Sequence, residues 1–286
     1  KDDHLRRYGG RTLDLGDVAL EITHEDAARA AAKYGAALAH ATHLHAVLQA
    51  TGAPHEIEIS VDETGTPTRP VEHAILALEL DRLHLPVVSL APRFPGRFEK
   101  GVDVRGDLGE LRAALALHGA IAVHLGGYKL SLHSGSDKFS VYPLLADATN
   151  RQVHLKTAGT SYLEALRVAA RHAPDLFRRI LATAHAHFER DRASYLIGAE
   201  LARVPAPDTV DDAALPALLD DDDARQVLHV TYGSALDAHR HALRALLHRE
   251  REAHAATLER HFVRHLTPFV APTNAPGPAP HPKESP

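Results

Sequence analysis

Residues 128–160 read YKLSLHSGSDKFSVYPLLADATNRQVHLKTAGT, and two segments in this stretch have a period of two. In YKLSLHS, Lys129, Ser131 and His133 share one face, and Leu130 and Leu132 share the other. In QVHLKTAG, His154 and Lys156 lie opposite Val153 and Leu155. Each reads as a strand with an apolar side suited to packing under helices. The polar side of each carries a candidate metal ligand or catalytic base.

Upstream, LPVVSLAPRF reads as a short buried strand. The charged, glycine-bearing loop RFPGRFEKGVDVRGD and a helix from Leu108 to His124 follow it. Before it, HEIEISVDETGTPTRP places Ile57, Ile59 and Val61 on one face and Glu56, Glu58, Ser60 and Asp62 on the other, and leads to a helix from Val71 to Leu83. Thr23 with Glu25 and Asp26 predicts an N-cap for a helix from His24 to Ala50 that Gly52 and Pro54 end, and RTLDLGDVALEIT before it alternates like a strand.

Downstream, Thr160 or Ser161 caps a helix with a stripe of Leu163, Leu166 and Ala170. A helix opening at Pro174 is expected to be continued by Asp191 to Leu201. ARQVLHVTYGSAL reads as one more strand, and His239 to Leu266 as one long polar helix. From Thr267 the chain is rich in proline and poor in apolar residues, which predicts a disordered tail over 267–286 after a catalytic domain over 1–266.

Strands alternating with helices imply βαβ units and a mainly parallel sheet, open or closed. An open sheet with helices on both faces would bury Glu58, Lys129 and Lys156 against apolar surface, at several kcal/mol each (roughly) unless paired. A barrel points one face into a lumen where charges meet. A (β/α) barrel of the TIM type is therefore the expected fold, with its site at the C-terminal strand ends. Six strand candidates are present, so two are missing from a complete barrel. The lack of Met, even at position 1, predicts that the chain begins inside a longer gene product.

With 286 residues, 44% hydrophobic and 24% charged, the composition is that of an ordinary globular protein. A net charge of −5 without a basic block argues against nucleic acid. No apolar run is long enough to span a membrane. A cytoplasmic location and a small-molecule partner are expected, and oligomeric state is left open. Cysteine is absent, so any metal must be held by His, Asp or Glu.

With the strand ends at one rim, Asp62, His133, His154 and His229 make a candidate divalent metal site for Zn, Mn, Ni or Co. Asp62, Glu63, Asp137 and Lys156 are candidates for proton transfer. Arg93, Lys100, Asp103, Ser134, Lys138, Thr157 and Tyr232 are candidates for substrate binding. Glu58 with Lys129 reads as an interior ion pair. The alternative for each histidine is a hydrogen-bonded core or rim residue, a reading that suits His229 best and His133, followed by the glycine-bracketed SGSDK, least.

The segments Ile59–Thr68 (ISVDETGTPT), Ser89–Asp107 (SLAPRFPGRFEKGVDVRGD), Tyr128–Pro143 (YKLSLHSGSDKFSVYP) and His154–Arg167 (HLKTAGTSYLEALR) resemble the tagaturonate epimerase family, with a weaker echo at Leu228–Leu236. The resemblance runs from about Tyr34 to Leu266 and implies a metal-dependent isomerase that interconverts D-tagaturonate and D-fructuronate at C4. The family is longer, with an N-terminal part of the barrel absent here. C4 is β to the C2 ketone, so the carbonyl does not acidify its proton. Retro-aldol cleavage of C3–C4, rotation of the aldehyde and re-addition would invert it, with a metal on the C2 oxygen and an acid/base at the C4 hydroxyl. No dinucleotide glycine fingerprint supports transient oxidation. The alternatives are a metal-dependent barrel aldolase or ketose isomerase, or a non-catalytic sugar-acid-binding barrel fragment.

Overall fold

The computed structural model describes residues 2–270. A short helix, α1 (Asp2–Tyr8), precedes a hairpin of β1 (Arg11–Asp14) and β2 (Ala19–Ile22). RTLDLGD is thus not a strand of the main sheet, because it pairs antiparallel with the strand that follows it. The turn is closed by the Leu15 N–H donating to the Val18 carbonyl, with Gly16 in the left-handed region at φ +83°.

Helix α2 (His24–Thr51) starts at a capping box. The Thr23 hydroxyl accepts the Asp26 N–H, and the Asp26 carboxylate accepts the Thr23 N–H. Gly52 ends it at φ 66°. The main sheet then builds in chain order as β3 (Ile57–Ser60), α3 (Pro70–Arg82), β4 (Val87–Ala91), α4 (Leu108–Ile121), β5 (Lys129–Leu132), α5 (Tyr142–Ala148) and β6 (Val153–Leu155). A π-helical turn, Ala122–Gly126, finishes the helix expected from Leu108 to His124.

The four strands are all parallel, in the order β3-β4-β5-β6. Leu90, Leu130 and Leu132 are buried in one core with Ile75, Leu76, Leu111, Leu115 and Leu145 from α3, α4 and α5. Each such leucine, fully removed from water, contributes roughly 1.5–3 kcal/mol. The register sets Glu58 beside Ser89 and Ser131 beside His154 on the other face. Among the described residues the sheet is an open four-stranded arc in a mixed α/β chain, and no closed barrel forms.

A second core joins α6 (Ser161–His172), α7 (Pro174–Asp191), α8 (Asp222–Val230) and α9 (Tyr232–Arg249). The expected stripe on α6 is buried at Leu163, Leu166 and Ala170. ARQVLHV is helical rather than extended. The Asp221 carboxylate accepts the Ala224 N–H at 2.8 Å, and Ala224, Val227 and Leu228 then fall on one buried face. Beyond Asp191 the chain runs through short 3-10 turns instead of continuing α7. The long polar helix is broken at Glu250, leaving α9 and α10 (Arg251–Leu266). Thr267–Phe269 form a 3-10 turn, with the Phe269 ring 5.7 Å from that of Tyr142. The expected disordered tail is therefore packed at its start, and its residues 271–286 lie outside the described ones.

Candidate active site

The loops that follow the C-terminal ends of the parallel strands line a cleft made of two cavities of about 330 and 250 Å³. Lys100, His133, Ser134 and Tyr195 line both. The first is also lined by Asp62 and Glu63 after β3 and by Arg93 and Arg97 after β4. The second adds Lys138 after β5, Lys156 after β6, and His229 from α8. In open α/β sheets this end of the strands is where ligands bind.

Glu58 holds the two opening histidines together. One of its carboxylate oxygens contacts His133 Nε2, and the other contacts His154 Nδ1 and accepts from the Ser89 hydroxyl. His154 Nδ1 also lies 3.4 Å from both Ser89 Oγ and Ser131 Oγ. Asp62 Oδ1 is 3.7 Å from His133 Nδ1. Burial alone would raise the Glu58 pKa. Hydrogen bonds from Ser89, His133 and His154 and the charge of His154 outweigh it and bring it down to about 2. Glu58 is therefore not the partner of Lys129, which lies exposed at the start of β5. Period-two reading had set Glu58, Ser131 and His154 on polar faces, but register was needed to bring them together.

His229 enters the cleft from α8, packed against Gly101 and Gly159. A Cβ at Gly159 would stand 3.2 Å from its ring. Burial first, then the charges of Lys100 and Arg225, pull its pKa down to about 4, and its Nδ1 has no hydrogen-bond partner among the described residues. It is a neutral imidazole beside the cavity that Lys100, Lys138 and Lys156 line.

Lys138 also lines the cleft, yet its ammonium donates to the carbonyls of Glu99, Val102 and Ser136 at 2.9, 2.5 and 2.9 Å. Its three donors are used, so it fixes the loop that carries Lys100. Burial lowers its pKa to about 8. Asp103 accepts from the backbone N–H and hydroxyl of Ser140 and, with Asp137, lines a separate cavity of about 570 Å³. Arg93 is tied to the Thr64 carbonyl. Thr157 is half-buried in the turn after β6, and Tyr232 is exposed at the start of α9 with its ring 6.2 Å from Tyr162. Neither lines the cleft.

Tyr195 and Arg97 also line the cleft, and sequence reading did not single them out. Glu99, buried beside them, accepts from the Gly198 N–H and the Gln226 amide at 2.9 and 3.0 Å. These contacts span about a hundred residues or more, and no local spacing foretells them. Away from the cleft, Asp137, His261 and His265 form a buried group whose ligand atoms lie within 4.8 Å of one another and could hold a metal ion.

The sequence matches the tagaturonate epimerase family over residues 1–269. It is 43% identical over 263 residues to the tagaturonate/fructuronate epimerase of Thermotoga maritima, covering 91% of this chain and 55% of that one. Crystal structures of the fructuronate-tagaturonate epimerase from Cohnella laeviribosi superpose with a TM-score of 0.90. The native form is 37% identical, over 94% of this chain and 56% of that one. The form complexed with two glycerols is 36% identical over the same shares. The chain thus spans about half the length of the relatives it matches. With the matched residues running through both cores and the strand-end cleft, the chain belongs to the tagaturonate epimerase family.

Proposed function

We propose that the strand-end cleft takes a ketohexuronate and inverts its C4, interconverting D-tagaturonate and D-fructuronate. The observation that carries this is the convergence of Glu58, Asp62, His133 and His154 at the mouth of the sheet, with cationic side chains beside it. Two imidazoles and two carboxylates are the kind of donor set a divalent metal takes, and in this structure Glu58 bonds both imidazoles directly. Asp62, His133 and His154, joined by Glu58, would hold the ion, which would supply Lewis-acid polarisation of the C2 ketone. His229 lines the same cleft without bonding to this set, and its neutral imidazole serves as a hydrogen-bond acceptor for a sugar hydroxyl.

The chain's own groups account for the remaining steps. Lys100 and Arg97 offer positive charge to a substrate carboxylate. Glu63 and Lys156 are left to take the C4 hydroxyl proton and return it. As that proton leaves, the C3–C4 bond breaks with its electron pair going to C3, giving an aldehyde and an enediolate. Rotation of the aldehyde and re-formation of the bond return the proton and invert C4. A closed (β/α) barrel is the setting in which this polar sheet face becomes a lumen.

The test is to incubate the purified protein with D-tagaturonate and to follow D-fructuronate by NMR, before and after EDTA treatment and in His133→Ala. Expected are interconversion, its loss on chelation with recovery on adding metal, and loss of bound metal in the variant. Full activity after chelation overturns the metal assignment. A stable three-carbon product would make the enzyme an aldolase. The absence of both turnover and thermal stabilisation by tagaturonate would overturn the sugar-acid reading altogether.

A further inference from the structure

Asp137, Glu164, His261 and His265 meet where the loop after β5 touches α6 and α10, all with less than a tenth of their surface exposed. His261 Nδ1 stands 4.0 Å from Asp137 Oδ1 and 3.7 Å from Glu164 Oε1, and His265 Nε2 stands 3.8 Å from Asp137 Oδ1. These separations are too long for hydrogen bonds. They suit donors arranged around a cation with bonds of about 2.0–2.2 Å, which stand roughly 3–4 Å apart.

The outer contacts aim the inner atoms. Asp137 Oδ2 accepts from Arg225 at 2.9 Å, which leaves Oδ1 facing the histidines. Glu164 Oε2 accepts from Arg167 at 3.2 Å, which leaves Oε1 facing His261. His261 Nε2 is bonded to the Thr160 hydroxyl at 3.1 Å, and His265 Nδ1 donates to the His261 carbonyl at 2.7 Å. Such second contacts fix ring orientation and tautomer in metal sites. Burial holds His261 near a pKa of about 4, so the ring is neutral, as a ligand must be. Asp137 itself has φ +56°, a left-handed backbone held in place by its side-chain contacts. The group opens on the cavity of about 570 Å³, which gives an ion a way in.

We propose that this group is a second divalent-cation site, separate from the strand-end cleft, with Asp137, His261 and His265 as ligands and Glu164 as a further carboxylate facing the ion. Its place makes it a clasp that ties α10 and α6 to the loop after β5. Binding exchanges one existing bond, that of the Asp137 N–H to His265 Nε2 at 3.0 Å.

The test is zinc binding by calorimetry and metal analysis on the metal-stripped protein, repeated with Co(II) for its visible spectrum. His261→Gln is compared with His133→Ala. The expected result is one equivalent of zinc that His261→Gln loses and His133→Ala keeps, together with a zinc-induced rise in Tm that persists in His133→Ala and is reduced in His261→Gln. Should His261→Gln fail to fold, Glu164→Gln is read instead, with affinity weakened about tenfold or more. If no zinc equivalent depends on residue 261 or 164, or if His133→Ala removes every equivalent, the site is overturned. Because the readout is the equivalent that survives His133→Ala, it stands whether or not the strand-end cleft binds metal.

Discussion

Glu58 has two carboxylate oxygens and three partners, His133, His154 and Ser89, drawn from three neighbouring strands or the loops that follow them. Replacing it with Gln keeps the shape and removes the charge, and an amide cannot accept at both ends. We expect Glu58→Gln to lower kcat/KM by about a hundredfold or more, with loss of bound metal, measured by steady-state kinetics and metal analysis. A rate within about threefold of the unaltered protein would remove Glu58 from the machinery. The depressed pKa has a further consequence. Above the unfolded carboxylate value of about 4.3 the ionised Glu58 stabilises the fold, and that contribution is lost as pH falls towards about 2. Glu58 is thus ionised throughout the neutral range and sets no limb in a pH–rate profile there.

At the scale of elements, α4 crosses the end of α5 so closely that a Cβ on Gly119 would stand 2.0 Å from the Ala148 carbonyl oxygen. An alanine in mid-helix ordinarily stabilises by roughly 0.5–1 kcal/mol over glycine. Here the sign reverses, because backbone cannot yield as a side chain can. Gly119→Ala is expected to destabilise by about 1–3 kcal/mol in urea unfolding, and a more stable variant would mean that the two helices are free to part. The strands β3 to β6 and helices α2, α3 and α6 follow from alternation, capping residues and apolar stripes, all local signals. QVLHVTY misled because its Val-rich alternation looks extended, while Asp221, outside that segment, supplies the cap that starts a helix. The alternation of their segments set His133 and His154 on polar strand faces, and the structure places His133 just after β5 and His154 in the middle of β6. Glu58 was visible only as one carboxylate on a polar face, since its partners come from register across the sheet. His229 reached the cleft by a different route from the one expected, from a helix instead of a strand.

In several parts of the molecule a histidine sits where burial disfavours its charged form. His73 bonds His118 Nδ1 at 2.9 Å and the Tyr128 hydroxyl at 2.7 Å behind the sheet, and both rings are fully buried. Burial lowers His118, His229 and His261 to about 4 and His73 well below its ordinary value. In the unfolded chain these groups titrate near 6.5. Between that pH and about 4 the unfolded state binds more protons than the folded one, so stability must fall as pH falls, by at most about 1.4 kcal/mol per pH unit for each histidine. The depressed carboxylates act in a lower window. Glu58 and Glu79, both held near 2 by hydrogen bonds that outweigh the cost of burial, lose their contribution only below about 4.3. Stability should therefore begin to fall at a higher pH than the one at which Glu58 and Glu79 lose their contribution. Urea denaturation at pH 7, 6 and 5 is expected to show a steadily falling midpoint with unchanged slope. A midpoint constant from pH 7 to 5 would mean that the buried rings gain protons in the folded protein as readily as in the unfolded one, and that the interior behind the sheet is open to water.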